Sequence, residues 1–409
     1  MNILFIHNNF PGQFGAWAQQ LARVRGHRVT AIGSPTATEL PGVNLHRYRL
    51  PRGSSPTVHP AAVRFEADCI RAEAVAQLAA TLKRNGFRPD VIVAHIGWGE
   101  SLFLREVWPT SKLLAYCEFY YHSRGHDVNF DPEFETPALP SDIRVRAKNA
   151  GTTLALADAD FGLSPTAWQR STFPAHLQPR IEVIHDGIDT SEARRRADAT
   201  LQIPTQNLAL RPGDEVVTYV NRHLEPMRGL HIFLRALPAI LAARPNAQVI
   251  IIGAESKLAY GTRPPDQETW KARFLAEVAD RIDPSRVHWL GRVAKPVYLS
   301  ALAVSRVHVY LTYPFVLSWS LLEAMSSECL VVASNTAPVR EVIEHGSNGL
   351  LVDFFDHQQL AERVIEGLQQ PPERFAALTS AARQTIVNRF DRTTVCMPRL
   401  VQLIERLAA

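Results

Sequence analysis

Only four cysteines occur in the 409 residues, Cys69, Cys117, Cys329 and Cys396, far apart and without metal or redox spacing. That excludes a disulfide framework, and reduced thiols in a cytoplasmic protein are the simplest account. No run of about eighteen apolar residues occurs, and the apolar start is short with no basic leader, so neither a membrane span nor a signal peptide is expected. Blocks of like charge are also missing. The formal charge is +4 and the basic residues, mostly arginine, are scattered, so no nucleic-acid tail is read. Clusters such as Arg194, Arg195 and Arg196 read as a solvated face or linker, while peripheral contact at the inner face of a membrane stays open. The GxGxxG fingerprint is absent, which counts against a nicotinamide dehydrogenase.

The length points to two or more domains, and 46% apolar residues suffice for two packed cores. In the first half, an apolar strand at 2–7 leads into the turn NNFPGQFG, an amphipathic helix marked by Trp17, Leu21 and Val24, and a strand at 28–32. This β-turn-α-β unit is of the doubly wound class. Gly12 stands where a backbone can approach a ligand closely, although a tight turn gives it an equally good structural reason. An alanine-rich helix is predicted over 60–85. The strand 90–94 then ends on His95, at the carboxyl end where open α/β sheets keep their ligands. The strand 112–117 likewise runs into Glu118, with Phe119, Tyr120 and Tyr121 offering flat faces to a sugar or simply packing a lid. Helices are predicted over 143–157 and from the cap Ser164-Pro165-Thr166 to Phe173. The polar stretch 190–212 is the best linker candidate.

A second strand-helix series follows. The strand 215–220 precedes Arg222 and Arg228, whose guanidinium groups suit forked contacts with phosphate. A helix over 230–243, a strand over 248–252, a turn-rich 261–265, a helix over 270–282 and a strand over 287–290 come next. The stretch 309–335 then compresses strand, loop, helix and strand. Ser318 is a plausible N-cap, and Leu321, Leu322 and Met325 share one helical face. A helix starting just past a buried strand offers free N–H groups and a positive dipole end to an anion at Ser318 and Trp319. Glu323, about one and a half turns on, is placed to accept from a pair of hydroxyls such as those of ribose, although a helix glutamate is ordinarily just solvated.

The run Leu321, Leu322, Glu323, Ala324, Met325, followed by Val331, Val332, Ala333 and Ser334, resembles the donor-binding signature of family 4 retaining glycosyltransferases of the GT-B fold. Gly26, His27, Arg28 and Val29 resemble the family's GHxV step, and the segment ending at His95 resembles one whose histidine faces the transferred sugar. One departure stands out: Phe315 occupies the position, eight residues before Glu323, where the family carries a glutamate that contacts sugar hydroxyls. His185 and Asp186 fall in a closing motif read as structural.

The resemblance implies two Rossmann-like doubly wound α/β domains facing across a cleft. The expected division is an acceptor-side domain at 1–195, a linker at 196–212, a nucleotide-sugar domain at 213–385 and a C-terminal helix at 386–409 packing back on the first domain. It implies a hexosyl- or deoxyhexosyltransferase in polysaccharide or glycoconjugate biosynthesis, working by front-face substitution without metal or cofactor. The donor would be a UDP, GDP or dTDP sugar, and the acceptor a glycan, a lipid-linked or a small-molecule hydroxyl. Arg222 and Arg228 would face the diphosphate, and Gly12, Phe315, Ser318 and Trp319 would line the donor site. Gly291, Arg292 and Val293 would clasp the base and Glu323 the ribose, with His95 and Glu118 orienting sugar and acceptor. A sugar-nucleotide epimerase, a phosphorylase and a nucleotide-sugar-binding scaffold remain as alternatives, the last motivated by Phe315.

Overall fold

The computed structural model describes residues 1–255, 261, 263–264 and 268–409, so the turn expected over 261–265 lies in part outside the described residues. The chain divides into two compact units, one of residues 1–129, 136–186 and 393–409, the other of residues 130–135 and 187–392.

In the first unit the apolar runs become β1 (Asn2–Ile6), β2 (Arg28–Gly33), β3 (Val43–Arg47), β4 (Val91–His95), β5 (Lys112–Tyr116), β6 (Phe161–Ser164) and β7 (Ile181–Val183). They pair in the order β3-β2-β1-β4-β5-β6-β7, every neighbour parallel. A parallel sheet is covered on both faces, which is why β1 and β4 read as nearly continuous hydrophobic runs. One face packs under Ala72, Val75, Ala79 and Leu156. The other packs under Phe14, Trp17 and Leu21 with Leu400, Leu403 and Ile404 of the last helix, Met397–Ala408.

The second unit repeats the plan. After a hairpin of β8 (Leu201–Ile203) and β9 (Leu208–Leu210) come β10 (Val216–His223), β11 (Gln248–Ala254), β12 (Val287–Gly291), β13 (Val307–Tyr310), β14 (Leu330–Ser334) and β15 (Leu350–Val352). The sheet order is β12-β11-β10-β13-β14-β15, again all parallel. Strand order therefore reverses between β1 and β4 in one sheet and between β10 and β13 in the other. Such switch points open a crevice at the carboxyl ends of the strands.

The structure corrects several sequence-based boundaries. The polar stretch 196–212 is no simple linker, because Leu201, Ile203 and Leu210 of its hairpin are buried against Val216 and Ile250. The helix expected over 143–157 is two, Leu139–Lys148 and Ala150–Asp158, meeting at Asn149. The Asn149 side chain accepts from the Tyr121 N–H at 2.9 Å and donates to the Tyr121 carbonyl at 2.8 Å, a tertiary clamp on that corner. The helix expected over 270–282 stops at Ala276.

Two buried histidines make stability depend on pH. Burial pushes His308 on β13 down to about 3 and His185 down to about 4, so both are neutral in the folded state near neutral pH. The unfolded chain binds protons at these sites near the ordinary value of about 6.5. The stability they contribute is complete above that pH and is lost below it, by about 1.4 kcal/mol per pH unit for each site until its folded value is reached. Urea unfolding at pH 7.5 and 5.5 is expected to show a clear drop at the lower pH, smaller in His308→Leu. Equal stability at the two pH values would contradict this account.

Candidate active site

In the second unit the carboxyl ends of the strands carry cations and a helix N-terminus. Residues Val216 to Asn221 are buried, and the chain emerges at Arg222, which is exposed at the end of β10. Arg292, just past β12, is exposed as well. Burial first, then the charges of Arg222 and Arg292, hold His223 below the ordinary histidine range. The positive end of the helix Trp319–Ser326 adds to them. Ser318 caps that helix, its Oγ accepting from the Ser320 N–H at 3.3 Å, while its own N–H donates to Tyr310 Oη at 2.9 Å. Trp319 is 42% exposed at the first helical position.

Arg228 sits elsewhere than expected. It is 9% exposed, and its Nη1 donates to Thr312 Oγ1 at 2.7 Å and to the Val316 carbonyl at 3.1 Å. Its guanidinium lies 5.7 Å from the centre of the buried Phe315 ring. Arg228 thus braces the loop between β13 and the capped helix, and Phe315 packs against it. Gly229 permits this approach, since a Cβ there would come within 2.4 Å of Leu311 Cβ and its φ is +70°.

Leu321, Leu322, Ala324 and Met325 are fully buried, which turns Glu323 to the opposite face of the helix. There Tyr298 Oη donates to Glu323 Oε2 at 2.6 Å. Burial raises the carboxyl above its ordinary range, outweighing the Tyr298 hydrogen bond and the nearby Lys295 and Arg392 charges. Lys295 itself pairs with Glu192. The Tyr298 contact fixes one carboxylate oxygen, Oε2. No sequence signal marked Tyr298, twenty-five residues away. Gly291, the last residue of β12 with a φ of +63°, and Val293 flank Arg292.

In the first unit, His7 follows β1 and His95 ends β4, so the two rings meet across the switch point with centroids 5.1 Å apart. Gly12 lies beneath His7: a Cβ there would come within 2.5 Å of the imidazole, at a φ of +46°. The glycine therefore has a packing reason, and the close neighbour that demands it is His7. Gln13 Nε2 donates to Glu118 Oε1 at 2.6 Å, and His95 Nε2 stands 3.4 Å from Glu118 Oε2. Burial pushes the Glu118 carboxyl up, but His95, His7 and Gln13 together bring it below the ordinary carboxylate range.

The three rings after Glu118 do not act alike. Tyr120 is a core residue, packed against Phe173 with its N–H on Thr172 Oγ1, and is corrected to a structural role. Phe119 is 5% exposed and sits near Tyr121 and Trp168. One face of Tyr121 is covered by Lys148, whose Nζ lies 3.2 Å from the ring centre.

Asp131, Glu133 and His231 place three possible metal-ligand atoms within 4.8 Å of one another. Each carboxylate already has protein partners. Asp131 accepts from Tyr313 at 2.8 Å and lies 3.1 Å from His231 Nε2, while Arg235 holds both Glu133 oxygens at 2.7 Å. The trio reads as an ion-pair network fastening segment 130–135 into the second unit.

Two parallel doubly wound sheets, each with polar side chains at its switch point, define a GT-B glycosyltransferase fold. The family description "Glycosyl transferase family 4 group" matches residues 25–193, and "Glycosyl transferases group 1" matches residues 204–385. The chain belongs to the family 4 glycosyltransferases. It is 26% identical over 179 residues to the phosphatidyl-myo-inositol mannosyltransferase of Mycolicibacterium smegmatis, a match covering 44% of this chain and 42% of that one. The matches span about half the length, 42% to 53%, of the curated relatives. Among solved structures, sucrose-phosphate synthase from Thermosynechococcus elongatus aligns with a TM-score of 0.72 at 18% identity, over 100% of this chain and 99% of that one. Anabaena HepE in complex with UDP aligns with a TM-score of 0.67 at 17% identity, over 99% and 100%. Among the described residues, no helix is long and apolar enough to cross a membrane.

Proposed function

We propose that the protein transfers a sugar from a nucleoside-diphosphate sugar to an acceptor hydroxyl, with retention of anomeric configuration and without a metal. The observation that carries this reading is the set, along the carboxyl ends of the second sheet, of Arg222, Arg292, a capped helix N-terminus and a half-buried Glu323 held by Tyr298. The cations and helix N–H groups suit a diphosphate, and Glu323 suits the hydroxyl pair of a ribose. UDP in HepE and the mannosyltransferase relative support a donor of this class.

Chemically, the bond between the anomeric carbon and the β-phosphate oxygen breaks as the acceptor oxygen bonds to that carbon from the same face. The acceptor proton passes to the departing phosphate, and a nucleoside diphosphate is released. Charge growing on the leaving group is what the site must stabilise, and fixed cations and N–H groups do so without reorganisation. Arg222 takes this role directly. Arg228 shapes the loop that receives the phosphates, adding its charge at short range. His95 and Glu118 are assigned the orientation of the transferred sugar and the acceptor. Phe315, apolar and packed on Arg228, favours a donor sugar lacking a hydroxyl at the position it faces. The acceptor is a glycan, lipid-linked or small-molecule hydroxyl in glycoconjugate assembly, which suits the named activity of the mannosyltransferase relative.

The reading is tested by following nucleoside-diphosphate release from UDP-, GDP-, dTDP- and ADP-sugars with and without EDTA, and by assigning the product anomer from proton NMR couplings. Release unaffected by EDTA, with the donor configuration kept, is the expected result. An inverted product or full loss with EDTA would overturn the mechanism. Binding of a nucleotide sugar with no release from any donor would instead favour a scaffold.

A further inference from the structure

His7 and Gln13 lie in the first unit outside every role assigned above, yet they form a hydrogen-bonded line into Glu118. The polarity of that line is fixed at both ends by backbone amides. The Asn9 N–H donates to His7 Nδ1 at 3.0 Å, so neutral His7 carries its proton on Nε2. That Nε2 sits 2.8 Å from Gln13 Oε1, which turns the Gln13 NH₂ group toward Glu118 Oε1 at 2.6 Å. At the far end the Gly97 N–H donates to His95 Nδ1 at 3.2 Å, so neutral His95 also carries its proton on Nε2.

The two ends meet at Glu118 Oε2, and there the geometry changes. His95 is 2% exposed, its Nε2 is 3.4 Å from Oε2, and it completes no well-directed hydrogen bond. A donor and an acceptor thus stand side by side, held apart from a good bond with each other. A hydroxyl is the group that satisfies both, accepting from the imidazole and donating to the carboxylate.

We propose that Gln13, oriented by His7, is a positioning residue that sets the Glu118 carboxylate so that its Oε2 and the His95 Nε2–H receive one substrate hydroxyl between them. The ligand class is a sugar or polyol, and the inference rests on the glycosyl-transfer reading for the identity of that hydroxyl. Gly12 belongs to the same device, since only a residue without Cβ lets the turn bring Gln13 beside His7. The Glu118 backbone carbonyl accepts from Gln169 Nε2 at 2.7 Å, which anchors the residue from its other side. The titratable groups around the Glu118 carboxylate are His7, His95 and Tyr116, and the Tyr116 hydroxyl is engaged with Asp186 at 2.9 Å.

The test compares the full-length wild type with Gln13→Leu and Gln13→Glu. Nucleoside-diphosphate release from UDP-glucose, GDP-mannose and dTDP-rhamnose is measured from pH 5.5 to 8.5, together with the thermal shift given by each free diphosphate. In Gln13→Leu, kcat is expected to fall about a hundredfold, with donor KM and the diphosphate shift within about twofold. Gln13→Glu places two carboxylates together, one of which must hold a proton to donate as the amide did. Its activity is expected to be absent at pH 8.5 and to recover as the pH falls, unlike the wild type. Wild-type kcat in Gln13→Leu, or a Gln13→Glu profile parallel to the wild type, would overturn the proposal. The relay is also read without turnover, from long-range nitrogen-proton spectra of the histidines at pH 7.5. Both His7 and His95 as Nε2–H tautomers support it even if no donor is turned over, in which case only the transferase reading fails. Either ring as the Nδ1–H tautomer overturns it whatever the activity.

Discussion

Alanine at Arg222 is expected to lower kcat for nucleoside-diphosphate release by about 10²- to 10³-fold, the loss seen when a fixed donor to developing negative charge is removed. The side chain stands at the exposed end of an otherwise buried strand, so its removal leaves the β10 core untouched and the fold intact. The charge of Arg292 remains and retains part of the field, so the diphosphate still binds, but more weakly. The effect should therefore fall more heavily on kcat than on KM, as for an interaction that strengthens in the transition state. Lysine at this position is expected to recover only part of the loss, because a point charge lacks the fork that matches two phosphate oxygens. Steady-state kinetics of Arg222→Ala within threefold of the wild type would remove this residue from the mechanism.

Alanine at Glu323 should act on binding instead. It is expected to weaken nucleoside-diphosphate affinity by about 10- to 100-fold, the range for losing hydrogen bonds to a charged, partly buried acceptor. The substitution also strands the Tyr298 hydroxyl, which now donates to Glu323 at 2.6 Å. Glutamine keeps an acceptor oxygen for Tyr298 and should cost less. A specific signature separates ribose binding from general damage: the wild type should prefer ribonucleotides to their 2′-deoxy counterparts, and Glu323→Ala should lose that preference. Titration calorimetry with UDP and dUDP reads both effects, and a preference kept intact in the variant would contradict the assignment.

The parts of this site that were legible in the sequence are those written in short-range chemistry. A buried strand ending on Arg222, a serine cap at Ser318 and a helical stripe that leaves Glu323 on the other face each span only a few residues, and each carries a residue-type signal. The strand-end position of His95 was legible for the same reason. What was hidden depends on partners far apart in the chain. Gln13 meets Glu118 across 105 positions, and Tyr298 meets Glu323 across 25, with nothing local to mark either pair. Arg228, in the turn after β10, is buried where Arg222 is exposed, because Thr312 and Val316 from a later loop close over it. The sequence leaves Tyr120 open between facing a sugar and packing a lid, and tertiary packing against Phe173 makes it a core residue. The hairpin at 201–210 leaves no sequence signal because strands of three residues are too short to show a period. Segment 130–135 offers a further case: Phe130 packs with Tyr313, Phe354 and Phe355, and Phe134 with Trp270 and Phe274. Those contacts place it in the second unit although its neighbours in sequence belong to the first.

The crevice at the switch point of the second sheet is proposed as a nucleoside-diphosphate site. Thermal unfolding of the wild type and Arg222→Ala with millimolar UDP, GDP, dTDP, ADP and CDP tests it most directly, since a ligand bound only by the folded state raises Tm by mass action. One diphosphate is expected to raise the wild-type Tm selectively, with a smaller shift in Arg222→Ala, most sharply at high salt, where screening weakens the remaining field. No shift with any of the five, or equal shifts in wild type and variant, would contradict it.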